Sequence, residues 1–283
     1  MEQIIEEFAA YLSDAKKMAK NTVVSYSRDL RKMAAYMEDS GITDVNDITE
    51  DDLNAYTASL KAAGMSPATI SRNIASIKAL FIYMTRKGIV KKNPSISLKS
   101  PKISKKSPKI LTEKEIEKLL SQPRSDNPKG LRDKAMMELL YSTGMRVSEL
   151  VNLKLGDVDM EAGSIVCRDP GKERSLAMND RTKDALSEYL DHSRDTMIRD
   201  DEVDFLFTNC SGESMSRQGF WKLIKYYASR AQIDGDITPH TLRHTFAAHL
   251  VEQGRDLKDV QRIMGHSDIS TTQVYAHLNE SKD

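Results

Sequence analysis

The 283-residue sequence predicts a mainly α-helical protein of two domains, with a small antiparallel β-sheet in the second. Three observations lead there. The chain exceeds the roughly 100 to 150 residues typical of a single core. Apolar residues recur at helical spacing through most of it, between Ser, Thr, Asn or Asp starts and glycine stops. Only residues 157–178 lose that period.

The first domain, residues 1–88, should hold four helices. Ile4, Ile5, Phe8 and Leu12 form the stripe of the first; Val23, Tyr26, Leu30, Met33 and Met37 form that of the second, which follows Asn21-Thr22 and closes at Gly41. A third starts at Thr49, with Asp51 and Asp52 in its first turn, where carboxylates meet the positive helix end. Ser66-Pro67 opens the fourth, whose buried face carries Ile70, Ile74, Ile77, Leu80, Phe81 and Met84.

Residues 89–110 read as a linker. From Arg86 to Lys109 there are nine basic residues and no acidic one, interleaved with Pro94, Pro101 and Pro108. Such a stretch suits a solvated tether and, more pointedly, a strap along phosphates, with Lys91, Lys92, Lys99, Lys102, Lys105 and Lys106 as DNA-backbone candidates. Up to residue 110 the chain holds 18 Lys and Arg against 12 Asp and Glu, and beyond it 24 against 30. A formal net charge of zero therefore does not exclude a polyanionic partner, because the local basic surface decides.

The second domain, 111–283, opens on a capping box of Thr112 and Glu115, with Leu111 and Ile116 placed to staple it. A helix through Leu131, Met136, Met137, Leu139 and Leu140 ends at Gly144, so Arg146 falls in a tight turn before a short helical run over 147–150. Strands over 164–168 and 172–178 are joined by an Asp169-Pro170-Gly171 turn. Helices resume after Asn179-Asp180, over 216–231, and from Thr238 onwards.

Cys167 and Cys210 have neither disulfide-framework nor zinc-motif spacing, and two reduced thiols are expected. The opening Met-Glu-Gln-Ile-Ile-Glu-Glu has no basic export region, and no apolar run approaches the ~20 residues of a membrane span. A cytoplasmic protein without membrane association is the expectation.

The chemistry-bearing residues cluster late. Thr238-Pro239 caps a helix whose opening turn carries His240 and Arg243, three apart on one face, where the dipole and free N–H groups favour a phosphate. His240, His244 and His249 raise a zinc reading, yet the glutamate of a zinc-protease motif is missing and no Cys or carboxylate completes a tetrahedron, so no metal is expected. A further helix from Asp256 buries Leu257, Val260 and Ile263 and stops at Gly265, placing His266 just past its C-terminus, a position that favours the protonated ring. Ser270-Thr-Thr should start another helix, with Val274 facing the core and Tyr275 free not to.

Four separated motifs then stand in order: Thr143-Gly-Met-Arg146-Val-Ser-Glu149-Leu, His240-Thr-Leu-Arg243-His, Met264-Gly-His266-Ser267, and Tyr275. Together they resemble the signature of the tyrosine recombinases of the phage integrase family, most closely the Xer type, over nearly the whole chain. The resemblance implies a helical, SAM-like core-binding domain and an α+β catalytic domain closing on DNA as a C-shaped clamp. It implies site-specific recombination through a 3′-phosphotyrosyl intermediate and a Holliday junction, with no metal or other cofactor. Tyr275 would be the nucleophile, Arg146 and Arg243 the clamp on the nonbridging oxygens, and His266 a further donor to them. His240 would act in proton transfer, Glu149 would orient the group, and Lys172 on the hairpin would protonate the leaving oxygen. That hairpin departs from the family's Gly-Lys-Gly-x-Lys pattern, with Asp169 where a lysine is expected, and only eight residues follow Tyr275. The implied partners are double-stranded DNA with a specific site and a tetramer of the chain itself or with a paralogous recombinase. Chromosome partition, integration and inversion are all open as tasks. A DNA-binding accessory protein with little cleavage activity is the alternative, and a relaxing topoisomerase a third reading.

Overall fold

The structure is a computed structural model that describes residues 1–103, 108–169, 172–198, 203–266 and 268–276, the side chains of Asp169 and Lys172 excepted. It divides into two compact units, Met1–Lys105 and Lys106–Asp283.

The first unit is built from α1 (Glu2–Asp14), α2 (Lys20–Asp39), α3 (Glu50–Ala62) and α4 (Pro67–Arg86). Thr49 and Asp52 close a capping box on α3, and Ser66 caps α4 with Pro67 at its first position. Phe8, Leu30, Met37, Leu53, Ile77, Phe81 and Met84 bury the helical stripes in one core. Asp29 is buried among them and answered by a forked pair of hydrogen bonds from Arg72 at 2.7 and 3.0 Å. The core continues past Gly88, because Val90 and Leu98 are buried in it and Lys78 donates to the Ile96 carbonyl. The chain over 89–98 is thus packed on the first unit. Lys91, Lys92, Lys99 and Lys102 are exposed along it; Lys105 and Lys106 lie outside the described residues.

The second unit is organised on α6 (Pro128–Thr143), buried around most of its circumference through Ala135, Met136, Met137, Leu139 and Leu140. Around it stand α5 (Glu113–Leu120), α7 (Val147–Leu150) and α8 (Asp180–Tyr189), the last continuing through a π turn and α9 (Asp195–Met197). They are followed by α10 (Arg217–Arg230), α11 (Pro239–Glu252) and α12 (Leu257–Met264). The capping box of Thr112 and Glu115 forms, with Leu111 and Ile116 both buried. The sheet has three antiparallel strands, β1 (Val158–Asp159), β2 (Ser164–Asp169) and β3 (Lys172–Ala177), in that order, with Val166 opposite Ser175 and Cys167 opposite Arg174. Pro170 and Gly171 lie outside the described residues. No described helix is long and apolar enough to cross a membrane.

The segment after α12 departs from the sequence expectation. Instead of one helix with Val274 inward, two 3₁₀ turns form, Ile269–Thr271 and Gln273–Tyr275. Val274 is 38% exposed and Tyr275 is fully buried. Three residues per turn put Thr272 and Tyr275 on one face, and that face, not the one carrying the valine, meets α11 and α12.

Gly144, in the left-handed region at φ +59°, stops α6 where a side chain has no room: a Cβ there would lie 2.3 Å from the Phe246 ring and 3.0 Å from the Met264 sulfur. Gly163 shares the φ, but only the end of the Lys183 side chain approaches it. Gly144→Ala should therefore cost clearly more in urea unfolding than Gly163→Ala, for which about 1–2 kcal/mol of left-handed strain is the whole expectation. Equal losses would show that the contact with α11 and α12 is not tight.

Candidate active site

The C-terminal end of α12 gathers three arginines from three different elements. Arg174 on β3 donates from Nε to the Ile263 carbonyl at 3.2 Å, Arg243 on α11 donates to the Met264 carbonyl, and Arg146 donates to the Gly265 carbonyl at 2.5 Å. The last carbonyls of a helix have no partner within it and form the negative end of its dipole, so guanidinium groups are favoured there. Gly265, at φ +61°, lets the chain turn away directly beneath them, and a Cβ on it would press on the Arg174 guanidinium at 3.0 Å.

Glu149 binds this cluster from beneath. Its buried carboxylate takes a two-pronged hydrogen bond from Arg174, 2.7 Å to each oxygen, and also accepts from the Arg146 guanidinium at 3.1 Å and the Arg146 backbone N–H at 2.6 Å. The position follows from α7: Arg146 stands at the cap and Glu149 three residues on, so one turn closes the pair. Burial alone would raise the Glu149 pKa, but the hydrogen bonds of Arg174 and the Arg146 backbone, with both positive charges, outweigh it and hold the carboxyl below its usual range.

Three arginines against one carboxylate leave an excess of positive charge. Arg243 shows it: burial first, then repulsion from Arg146, outweighs the attraction of Glu149 and lowers its pKa to about 10, so it stays charged at neutral pH. His266 shows it more strongly. Burial, then Arg243 and Arg146, pull it down to about 4, so the ring is neutral, against the sequence expectation of a protonated one. The dipole of α12 does favour a cation at this end, but the arginines already occupy it. His266 Nδ1 pairs with the Thr272 hydroxyl at 2.9 Å, which leaves Nε2 for another partner.

Tyr275 lies against the same cluster, its ring buried among Ala247, Ala248, Val251, Val260 and Met264. Its hydroxyl is hydrogen-bonded to His244 Nδ1. Burial raises the phenol to about 12, with Arg243 pulling the other way, so the hydroxyl keeps its proton. His240, one turn earlier on α11, is exposed and lines an apolar-walled cavity with Trp221, Val147 and Pro239. The expected pairing of His240 and Arg243 over the α11 N-terminus is likewise not what forms. A capping box of Thr238 and Thr241 occupies that end, and Arg243 turns inward to the carbonyls of Gly144 and Met264. Arg146, Glu149, Arg243, His266 and Tyr275 therefore converge as the motifs suggested. The Lys172 side chain and Ser267 lie outside the described residues.

Two members of the site, Arg174 and His244, were missed by sequence reasoning. Strand alternation could have found the first, since Arg174 shares a face with the buried Leu176 while Glu173 and Ser175 are exposed. For His244 no signal separated it from His240, because both lie at helical spacing on one face.

Comparison with known proteins places this geometry. The phage integrase family profile matches residues 109–282, and the N-terminal SAM-like domain of phage integrases matches residues 5–88. The chain belongs to the phage integrase family and is a tyrosine recombinase of Xer type. It is 41% identical to the tyrosine recombinase XerD of Listeria monocytogenes serotype 4b, over 99% of this chain and 95% of that protein. It is 39% identical to the tyrosine recombinase XerC of Roseiflexus castenholzii, over 99% and 90%. Among solved structures, XerA recombinase shares 27% identity at a TM-score of 0.56, covering 99% of this chain and 95% of that one. The fold is also that of XerH site-specific recombinase bound to a palindromic difH substrate, at 23% identity and a TM-score of 0.77, covering 98% and 82%.

Removing the carboxylate from this recombinase leaves its arginines uncompensated, so Glu149→Gln should lower stability at neutral pH by roughly 3–5 kcal/mol, as for other broken buried pairs. The sign with pH is fixed. Because the folded-state pKa lies below the ordinary value of 4.5, wild type's advantage is present above that value and is lost as pH falls through the folded one. Chemical denaturation of both proteins from neutral pH down to about pH 3 reads this; a gap that persists unchanged in acid would contradict it.

Proposed function

We propose that the enzyme cleaves and rejoins DNA at a specific recombination site through a 3′-phosphotyrosyl link at Tyr275 and a Holliday junction, acting as a tetramer with itself or with a paralogous recombinase in the cytoplasm. The observation that carries this is the tyrosine hydroxyl held beside a cluster of three arginines with one carboxylate between them. A phosphodiester supplies further negative charge to a cluster in which three arginines share one carboxylate. Arg146 and Arg243 bind its nonbridging oxygens and stabilise the charge that grows on them at the pentacovalent transition state. His266, neutral and free at Nε2, donates one more hydrogen bond. Glu149 fixes Arg146 in this task. By resemblance, Lys172 protonates the 5′-oxygen as it leaves, and His240, exposed on the first turn of α11, acts in proton transfer near the nucleophile.

The chain divides, in this proposal, into a DNA-binding domain over 1–88, a basic linker over 89–110 and a catalytic domain over 111–283. The exposed Lys91, Lys92, Lys99 and Lys102 contact the phosphate backbone, with Lys105 and Lys106 continuing the strap. Relatives of known structure support a DNA partner: the XerH neighbour is a complex with its DNA substrate, and a Tn1549 transposon integrase of the same fold is bound to circular intermediate DNA.

Cleavage requires the buried Tyr275 to reach a phosphate. The turns that carry it, residues 269–275, bury only Thr272 and Tyr275, so the segment belongs to the weakly held part of the unit and can shift at modest cost. A nicked suicide substrate bearing the site should trap a covalent protein–DNA adduct that Tyr275→Phe abolishes. Arg146→Ala should slow adduct formation by about 10²-fold or more while changing DNA affinity far less. Tight, salt-sensitive binding without any adduct from wild type would instead fit an accessory DNA-binding role.

A further inference from the structure

We propose that Arg174 is a positioning residue: it fastens the β2–β3 hairpin to α7 and to the end of α12, and thereby places Lys172, two residues along the strand, to protonate the departing 5′-oxygen. This role rests on the recombinase reading above, with Lys172 as its proton donor, and falls to a residue outside all four motifs.

Arg174 is engaged on two sides. Its Nη1 and Nη2 each donate to one oxygen of Glu149 at 2.7 Å, and its Nε donates to the Ile263 carbonyl at 3.2 Å. The Arg174 side chain is only 18% exposed and that of Glu149 2%, so water competes little for these bonds. A planar fork held two-pronged on a buried carboxylate has a single orientation, and the backbone that carries it is fixed with it. One side chain on β3 thus joins the strand to α7 through Glu149 and to α12 through Ile263. Gly265 leaves room for the guanidinium, which a Cβ there would meet at 3.0 Å.

The hairpin needs such an anchor. β1 pairs with Ser164 and Ile165, so from Val166 onwards β2 and β3 form a two-stranded ribbon that ends on the pair of Asp169 and Lys172. Ribbon ends open at little cost. Arg168 pairs with Asp157 and Glu173, contacts that stay within the sheet and the turn leading into β1. Arg174, opposite Cys167, supplies the bonds to α7 and α12, and at about 3.3 Å per strand residue the backbone of Lys172 follows about 6.6 Å away. As the bond from phosphorus to the 5′-oxygen breaks, its electron pair stays on that oxygen, which takes a proton from the Lys172 ammonium. In rejoining, the attacking 5′-hydroxyl returns the proton to the amine. Arg174 exchanges no proton and touches no reacting atom; it holds the donor within reach, where a displacement of about 1 Å costs about 10²-fold.

Single-turnover cleavage of two suicide substrates tests this, one with the ordinary 5′-oxygen and one with a bridging 5′-sulfur, which departs as a thiolate without a proton. Arg174→Ala removes the anchor. Arg174→Lys keeps a positive charge beside Glu149 but not the fork, and carries the test if urea unfolding shows that Arg174→Ala does not fold. Both variants should bind DNA like wild type, cleave the oxygen substrate about 10²-fold more slowly, and recover most of that loss on the sulfur substrate. Lys172→Ala should show the same pattern, and adding Arg174→Lys to it should slow the oxygen substrate no further. Equal losses on both substrates, additive losses in the double variant, wild-type rates, or unfolding of both Arg174 variants would each overturn the role while leaving the recombinase reading intact. Wild-type cleavage of the oxygen substrate by Lys172→Ala would remove the hairpin donor and the role of Arg174 with it. Absence of an adduct from wild type would overturn the recombinase reading as well.

Discussion

The catalytic unit depends on the way the end of one short helix holds three positive charges together. The carbonyls of Ile263, Met264 and Gly265 each take an arginine, from β3, α11 and the α7 turn respectively, and Glu149 ties two of the three to one another. Four separate pieces of chain are thereby fixed to a common point. The arrangement is costly in the absence of substrate, because guanidinium groups repel and burial penalises each. That cost is visible in the lowered pKa of Arg243 and the neutral state of His266. In the proposed reaction an arriving phosphate relieves it, which is how a preformed electrostatic site would turn binding into transition-state stabilisation.

The proposed nucleophile is handled in the opposite way. Tyr275 is kept neutral, buried and hydrogen-bonded to His244, on two 3₁₀ turns with few buried anchors. A rigid cationic pocket and a loosely held tyrosine are compatible, because the two are built on different elements. The arginines hang on α6, α7, α11 and β3, whose cores are dense, whereas the tyrosine follows Gly265 and is held by Thr272 and its own ring. Charge is thus in place without DNA, and the tyrosine oxygen is shielded from water.

Much of this was legible in the chain, and where it was not the reason is specific. Caps at Thr49, Ser66, Thr112 and Thr238 and stops at Gly144 and Gly265 mark helix ends through local hydrogen bonding and backbone freedom, and each forms as read. The four motifs named Arg146, Glu149, Arg243, His266 and Tyr275, and these converge. Arg174 belongs to no motif, and only its place on the same strand face as Leu176 distinguishes it from a solvated arginine. The fate of Val274 and Tyr275 depended on whether the last turns were α or 3₁₀, a difference of less than one residue per turn that reverses which side faces the core.

The sequence by itself determined the helices, the small sheet, the family and most of the residues that converge at the end of α12, because these depend on periodicity, capping and motif order. The tertiary structure alone decided the electrostatic state of those residues. His266 is neutral, not protonated, since packing buries its ring and then brings arginines from distant positions to the same helix end. The partner of Tyr275 is His244 and not His240, since only packing of the final turns against α11 selects which of two equivalent helical positions the phenol meets.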